Sequence, residues 1–289
     1  MTLAPDTVAC TRSAAPTIRA ILTHVAADPK ELPRLQAAVA LARRLDATCI
    51  GLGCEMVPPL ETADPSGLMQ GEWYVAMQEQ VRAELDRARE IFLREANGVR
   101  SDWICLQEAP STAIARLSRS ADLIVAGGSA LRHAGRHRSV DTAETLMRSG
   151  RPVLVVPPSG GALSARAVVI AWKDTREARR ALSDAMPFLA TAEKVLIVDV
   201  CREDEMADAE IRTAAVAAHL ARHDIVADVR IAVAQNHRVV AELNVAAEAI
   251  GADLIVAGGY GHSRLGEWFF GGVTDDLLNH PERFVLLSH

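Results

Sequence analysis

The chain writes the octapeptide ADLIVAGG twice, at residues 121–128 and again at 252–259, so that Asp122 and Asp253 stand 131 positions apart. An identity of this length within 289 residues is duplication of a structural unit rather than chance. The octapeptide reads as a strand: short, continuously apolar, rich in branched side chains, and stopped by glycine. A strand without polar alternation has no wet face, which is the mark of a parallel sheet covered on both sides.

The surrounding sequence alternates such runs with longer segments of helical period. Strands are expected near 18–25, 47–53, 102–107, 122–126 and 153–156, and in the second half near 166–172, 194–200, 226–232, 253–257 and 283–287. Helices are expected near 31–45, 72–97, 111–119 and 139–149, then near 175–189, 205–222, 238–249 and 273–280. This order predicts an α/β fold of two tandem Rossmann-like domains, each a five-stranded parallel sheet flanked by helices. Residues 1–16 form a tail, 17–158 the first domain, 159–165 a linker of small and turn-forming residues, and 166–289 the second domain. The proline-containing stretch 56–68 is expected to be a surface loop or lid. The last strand of each half, at 153–156 and 284–287, is short and apolar. An uncovered apolar edge seeks a partner, so the halves are expected to meet there as an internal pseudo-dimer.

Composition narrows the function. A net charge of −6 gives the whole molecule no electrostatic reason to bind nucleic acid or an anionic membrane. The cysteines at 10, 49, 54, 105 and 201 form no CxxC pair and no Cys/His ligand spacing, so they read as reduced, mostly buried thiols. The first 16 residues lack the cationic start and apolar centre of a signal peptide, and no apolar run is long enough to span a bilayer. The expected location is cytoplasmic, with no nucleic-acid or membrane partner; homodimerisation is left open.

Ligands of open α/β sheets bind at the carboxyl ends of the strands, where glycine lets backbone approach and a helix start offers amide donors. The second copy of the repeat continues there as GGYGHSRLGEWFFGGVTDDLL. Gly258 and Gly261 can admit a ribose and phosphates, and the amides of Gly271 and Gly272 can point at a phosphate from the start of the last helix. The same glycines read equally as turns that need positive φ.

This loop, the internal repeat and the segment VVIAWKDTREARRAL resemble the universal stress protein family in its tandem form, whose nucleotide-binding members carry G-x2-G-x9-G-[S/T] after the fourth strand. The resemblance extends over nearly all of the chain beyond its first 16 residues. It implies ATP or a related adenine nucleotide, alone or with magnesium, in the second half. It also implies that Ala171, Trp172, Lys173 and Asp174 line the base and ribose, that Val200 meets the adenine edge, and that His262, Ser263, Val273 and Thr274 accompany the glycines around the phosphates. Two positions depart from the family pattern: Gly272 stands where Ser or Thr is usual, and Lys173 where a carboxylate is usual.

Carrying the offset of 131 into the first half sets Gly127, Ala130, Val140 and Asp141 against Gly258, Gly261, Gly271 and Gly272. Side chains and a carboxylate then fill what would be phosphate space, so nucleotide is expected in the second half alone. The basic stretch 131–139 is expected to be a solvated loop or an anion patch, and Trp268, Phe269 and Phe270 a packing cluster. Asp122 and Asp253 are expected as turn or cap residues, and Glu203, Asp204 and Glu205 as a helix-start charge run. No metal cluster and no acid/base pair stands out, so the expected catalysis is none beyond slow ATP hydrolysis. The predicted function is a nucleotide-responsive stress-response binding protein. The alternative is a scaffold of the same fold that acts through protein or small-molecule partners, and an adenylyl-transferring or hydrolytic enzyme is the third reading.

Overall fold

The computed structural model describes residues 17–58, 68–128, 137–233, 239–260 and 271–289. Within them the first half contributes strands β1 (Ala20–His24), β2 (Thr48–Cys54), β3 (Ser101–Leu106), β4 (Leu123–Gly127) and β5 (Val153–Val156). The second half repeats the order with β6 (Ala167–Trp172), β7 (Lys194–Cys201), β8 (Asp228–Val233), β9 (Leu254–Gly258) and β10 (Phe284–Ser288). Helices α1 (Leu32–Leu45), α2 (Leu68–Glu95), α3 (Pro110–Leu117) and α4 (Thr142–Ser149) connect the first set; α5 (Arg176–Leu189), α6 (Met206–Ala221), α7 (Val239–Ile250) and α8 (Gly271–Asn279) connect the second.

The two expected five-stranded sheets are present and are joined into one ten-stranded sheet, ordered β3-β2-β1-β4-β5-β10-β9-β6-β7-β8. Every pairing is parallel except β5 with β10, where the halves meet antiparallel at the edges expected from sequence. Val155 faces Val285, Leu154 faces Leu286 and Val153 faces Leu287, all fully buried. Burying an aliphatic side chain of this size contributes about 1.5–3 kcal/mol, so the seam is as firm as any interior strand pair. One apolar layer, under α1, α2, α5 and α6, runs across both halves through Leu154, Val156, Phe284 and Leu286. The opposite layer does the same through Val153, Val155, Val285 and Leu287, capped by α3, α4 and α8.

The repeated octapeptide explains itself at three points. Its apolar centre is a buried central strand in each half. Its aspartate pins the neighbouring first strand: the amides of Arg19 and Ala20 donate to Asp122 at 2.8 and 3.0 Å, and those of Ser164 and Ala165 to Asp253 at 2.6 and 3.0 Å. Its last glycine touches the other half. A Cβ on Gly128 would lie 3.0 Å from the Leu278 carbonyl oxygen, and one on Gly259 would lie 2.5 Å from Leu146 Cδ2. The second glycine is therefore repeated because each half presses its own helix, α4 or α8, onto the strand end of its neighbour.

Two sequence expectations need correction. The offset of 131 does not hold through the loop after the repeat. Ile124 and Ile255 are 131 apart, but their pairing partners Val153 and Val285 are 132 apart. Thr142 and Thr274 are both buried with that larger offset, as are Leu146 and Leu278. The second half thus carries one extra residue before its last helix, and Val140, not Asp141, stands opposite Gly272. Nor does Val140 fill ligand space: it packs against the apolar layer beside Leu146. The stretch 59–67, most of the 56–68 loop, lies outside the described residues.

Candidate functional site

At the carboxyl edge of the second half, β6 ends at Trp172 and is followed by Lys173 and Asp174, Val200 is the next-to-last residue of β7, and β9 ends at Gly258, followed by Gly259. The start of α5 lies against β9: Thr175 caps the helix by accepting the Ala178 amide at 3.2 Å. A Cβ on Gly258 would come within 2.6 Å of that same Ala178 nitrogen. Gly258 is not among the glycines of positive φ. It is glycine because the helix start is packed onto the strand, which answers the choice left open between cradle and turn with a third cause, close helix–strand approach.

Helix α8 begins nearby. The Tyr260 amide donates to Thr274 Oγ1 at 3.3 Å and the Tyr260 hydroxyl to Asp275 at 2.6 Å, fixing the helix start against the end of β9. A Cβ on Gly272 would meet none of the described residues within 4 Å, so no described side chain covers the first turn of α8 there. Gly261, His262 and Ser263, with Trp268, Phe269 and Phe270, lie outside the described residues.

Each charged group at this edge already has a neighbour. Lys173 Nζ lies 3.9 Å from Glu205, and Asp174 pairs with Arg179. Glu205 accepts the Arg202 amide, as expected of a charge run at a helix start; that bond, then Lys173 and Arg202, overcome partial burial and hold its carboxyl below the ordinary value. Sequence reading passed over Asp199, which is fully buried on β7 and forms a two-bond ion pair with Arg212 of α6 at 2.5 and 2.9 Å. A single aspartate inside an apolar strand is the signal that could have found it. Trp172 is buried, yet its indole Nε1 has no hydrogen-bond partner among the described residues; such donors are uncommon and call for a cause.

The first half holds a cleft of about 360 Å³ at its own carboxyl edge. Strand register allows a residue-by-residue comparison with the second half. Ile21 is flanked by Leu123 and Cys49 as Val168 is flanked by Leu254 and Val195. Counting along, His24, Val25, Ala26 and Ala27 correspond to Ala171, Trp172, Lys173 and Asp174, and Cys54 to Val200. With the offset of 132, Ser139 corresponds to Gly271 and Val140 to Gly272. His24, Val25, Ala26, Ala27, Cys54 and Ser139 all line the first-half cleft. Of the sequence-derived site residues of the second half, Ala171, Trp172, Lys173, Asp174, Val200 and Gly271 thus fall on positions that line this concavity in the first half, whereas Gly258, Gly272, Val273 and Thr274 do not.

The cleft floor is chemically inert. Burial and then the nearby Arg34 guanidinium lower His24 from 6.5 to about 3, so the imidazole stays neutral and bonds the Cys54 carbonyl at 3.0 Å. Burial pushes the Cys54 thiol up to about 12, and its Sγ donates to the Glu108 carbonyl. Asp141, expected to present a carboxylate to phosphate space, instead caps α4 by accepting the Glu144 amide at 3.0 Å. Arg138, within the basic stretch, is committed to Glu55 at 2.6 Å and lies 3.4 Å from Glu84. Residues 129–136 lie outside the described residues. Among the described residues there is no group of three or more His, Cys, Asp and Glu placed to hold a metal, and no helix long and apolar enough to cross a membrane.

Comparison with known proteins fits this geometry. Residues 165–289 match the universal stress protein family model. A universal stress protein from Archaeoglobus fulgidus DSM 4304 shares the fold over 93% of this chain and 97% of its own, with a TM-score of 0.65 and 17% identity. A functionally unknown protein from Pseudomonas aeruginosa PAO1 does so over 94% and 92%, with a TM-score of 0.56 and 16% identity. No curated protein matches the chain by sequence. The second half is thus a universal stress protein domain, and the chain as a whole has the two-unit fold of such proteins.

Proposed function

We propose that this chain, whose second half is a universal stress protein domain, is a cytoplasmic stress-response protein that binds ATP or a related adenine nucleotide, with or without magnesium, in that half as a sensor. The observation that carries the reading is the register correspondence: Ala171, Trp172, Lys173, Asp174, Val200 and Gly271 occupy the positions that form a real cleft in the first half. The uncovered first turn of α8 at Gly272 supports it, because a helix start with no side chain in the way offers amides to an anion. The orphan Trp172 indole supports it too, since a bound ligand would supply an acceptor to a donor that otherwise has none. In this reading Lys173 leaves Glu205 for a phosphate, and Gly261, His262, Ser263, Val273 and Thr274 complete the phosphate side. The two halves act as an internal pseudo-dimer in which the first supports the second.

The chemistry available is binding. Gly272 provides no hydroxyl to a phosphate or its metal. Turnover is expected far below the roughly 1–100 per second of ordinary kinases. The direct test is to denature freshly purified protein and identify any released nucleotide by mass and absorbance. Adenine nucleotide near one per chain supports the sensor; a protein that neither releases nor takes up nucleotide supports a scaffold of the same fold.

A further inference from the structure

Helix α6 of the second half ends in a pair of side chains that the first half lacks. The buried positions Val81, Leu85, Ala88 and Phe92 of α2 recur as Ala209, Thr213, Val216 and Leu220 of α6, an offset of 220 − 92 = 128. By that offset His219 and His223 stand where the first half has Ile91 and Glu95. His219 lies in the last turn of α6, and the chain continues past the helix as a tight turn. There the Arg222 amide donates to the His219 carbonyl at 3.1 Å and the His223 amide to the Leu220 carbonyl at 2.8 Å. The spacing of four residues therefore stays on one face. The ring centroids lie 5.0 Å apart, with the planes tilted by 69°. Buried Leu220 and Ile225, joined by a hydrogen bond from the Ile225 amide to the Leu220 carbonyl at 3.1 Å, anchor the turn from beneath. Both imidazoles are exposed, and among the described residues neither has a hydrogen bond or an ion pair.

We propose that His219 and His223 form a binding site for one divalent late transition-metal ion, nickel(II) or copper(II), with water completing the coordination. Two imidazole nitrogens about 2.0–2.1 Å from one ion, each with its ring centroid about 1.1 Å further back, hold the centroids about 4.5–5.2 Å apart when they are adjacent ligands. The observed 5.0 Å falls in that range. Rotation about the broad terminal torsion of each histidine turns one nitrogen toward the shared point. Histidines at i and i+4 of a helix serve as metal ligands for this reason. Among the described residues no third His, Cys, Asp or Glu joins them. Two cis nitrogens with water in the open positions suit a square or tetragonal ion, where structural zinc takes four protein ligands. The carboxyl end of a helix also favours a cation, since its last carbonyls carry the negative end of the dipole. The proposal is independent of nucleotide binding in the second half.

The test is calorimetric titration of the chelator-treated full chain with nickel(II), which does not oxidise thiols. The expected result is a saturable first site at one ion per chain, weakened about ten- to hundredfold in His219→Ala and equally in His223→Ala. Cobalt(II) and manganese(II) are expected to bind that site progressively more weakly than nickel(II). His280→Ala, which removes an exposed histidine elsewhere, is expected to leave it unchanged. All three positions are exposed, so the variants are expected to keep the far-ultraviolet circular dichroism of the wild type. Absence of saturable binding in the wild type would overturn the proposal. So would unchanged affinity in either His219→Ala or His223→Ala, or an equal loss in His280→Ala.

Discussion

The first half of the molecule ends its strands under carboxylates paired with arginines, Glu31 with Arg34, Glu84 with Arg87 and Glu55 with Arg138, while the second ends them beside a lysine, a tryptophan and a helix opened by two glycines. The scaffolds agree strand by strand, and the difference is confined to what stands at the carboxyl edge. Duplication preserved the parts that hold the sheet together: the aspartates that pin each first strand, the buried central strand, and the second glycine of each octapeptide, which meets a helix of the other half. It released the parts that face solvent at the strand ends. Ligand chemistry diverges where the fold imposes least.

If the halves are one folded unit rather than two, a charge at the seam must disrupt both. Val285→Asp places a carboxylate in a buried position opposite Val155, and an unpaired buried charge costs several kcal/mol. The variant is expected to lose the cooperative unfolding transition of both halves together by circular dichroism. Retention of one half-sized transition would separate them. A milder version uses the reciprocal helix contact: Leu146→Ala is expected to destabilise by about 2–5 kcal/mol and to loosen the end of β9 as well as its own half, read by hydrogen exchange at Gly259 and Tyr260. Protection changes confined to the first half would show that this contact does not couple the two.

The halves also differ in titration. His24 has a folded pKa of about 3 against an ordinary 6.5, and its counterpart Ala171 does not titrate. Between those values the unfolded chain takes up a proton that the folded chain refuses, so stability present above pH 6.5 falls as pH drops through this window toward 3. At about pH 4.5 the His24 contribution is a loss of ~2–3 kcal/mol, which His24→Gln removes. Parallel pH–stability curves for the two proteins would contradict the neutral buried imidazole. The smallest expected difference lies in the aspartate clips. Asp122→Ala and Asp253→Ala each leave two amides without their carboxylate, at about 1–3 kcal/mol, and the two costs should be similar because the geometry is repeated. A cost at one position alone would mean the clip has diverged.

Much of this was legible in the sequence. Strand periodicity placed β5 at 153–156 and β6, β7 and β9 within a residue at each end, because continuous apolar runs in a covered parallel sheet carry a strong signal. The contact between 153–156 and 284–287 followed from two apolar edges that need cover. Less legible was the loop register, because one added residue between Gly258 and Thr274 leaves no mark in composition; the pairing of Val153 with Ile124 and of Val285 with Ile255 reveals it. The cause of Gly258 and Gly259 was hidden for a similar reason: a glycine demanded by a helix far off in sequence, at Ala178 or Leu146, reads the same as one demanded by a turn or a ligand. Arg138, read in sequence as part of a solvated loop or anion patch, instead meets Glu55 and lies near Glu84 of α2 across the first-half cleft, a meeting that no local pattern announces.

The asymmetry between the halves is tested most directly by calorimetric titration of the full chain with ATP and magnesium, in the wild type and in Gly272→Asp. A Cβ at Gly272 meets none of the described residues within 4 Å, so the variant is expected to fold. Its carboxylate would repel a phosphate by about 4 kcal/mol at an effective dielectric near 20, more than the ~1 kcal/mol a helix start typically contributes. The predicted result is a stoichiometry near one in the wild type and no measurable binding in Gly272→Asp. Two equivalent sites in the wild type, or binding that survives Gly272→Asp, would contradict a single nucleotide site at the start of α8.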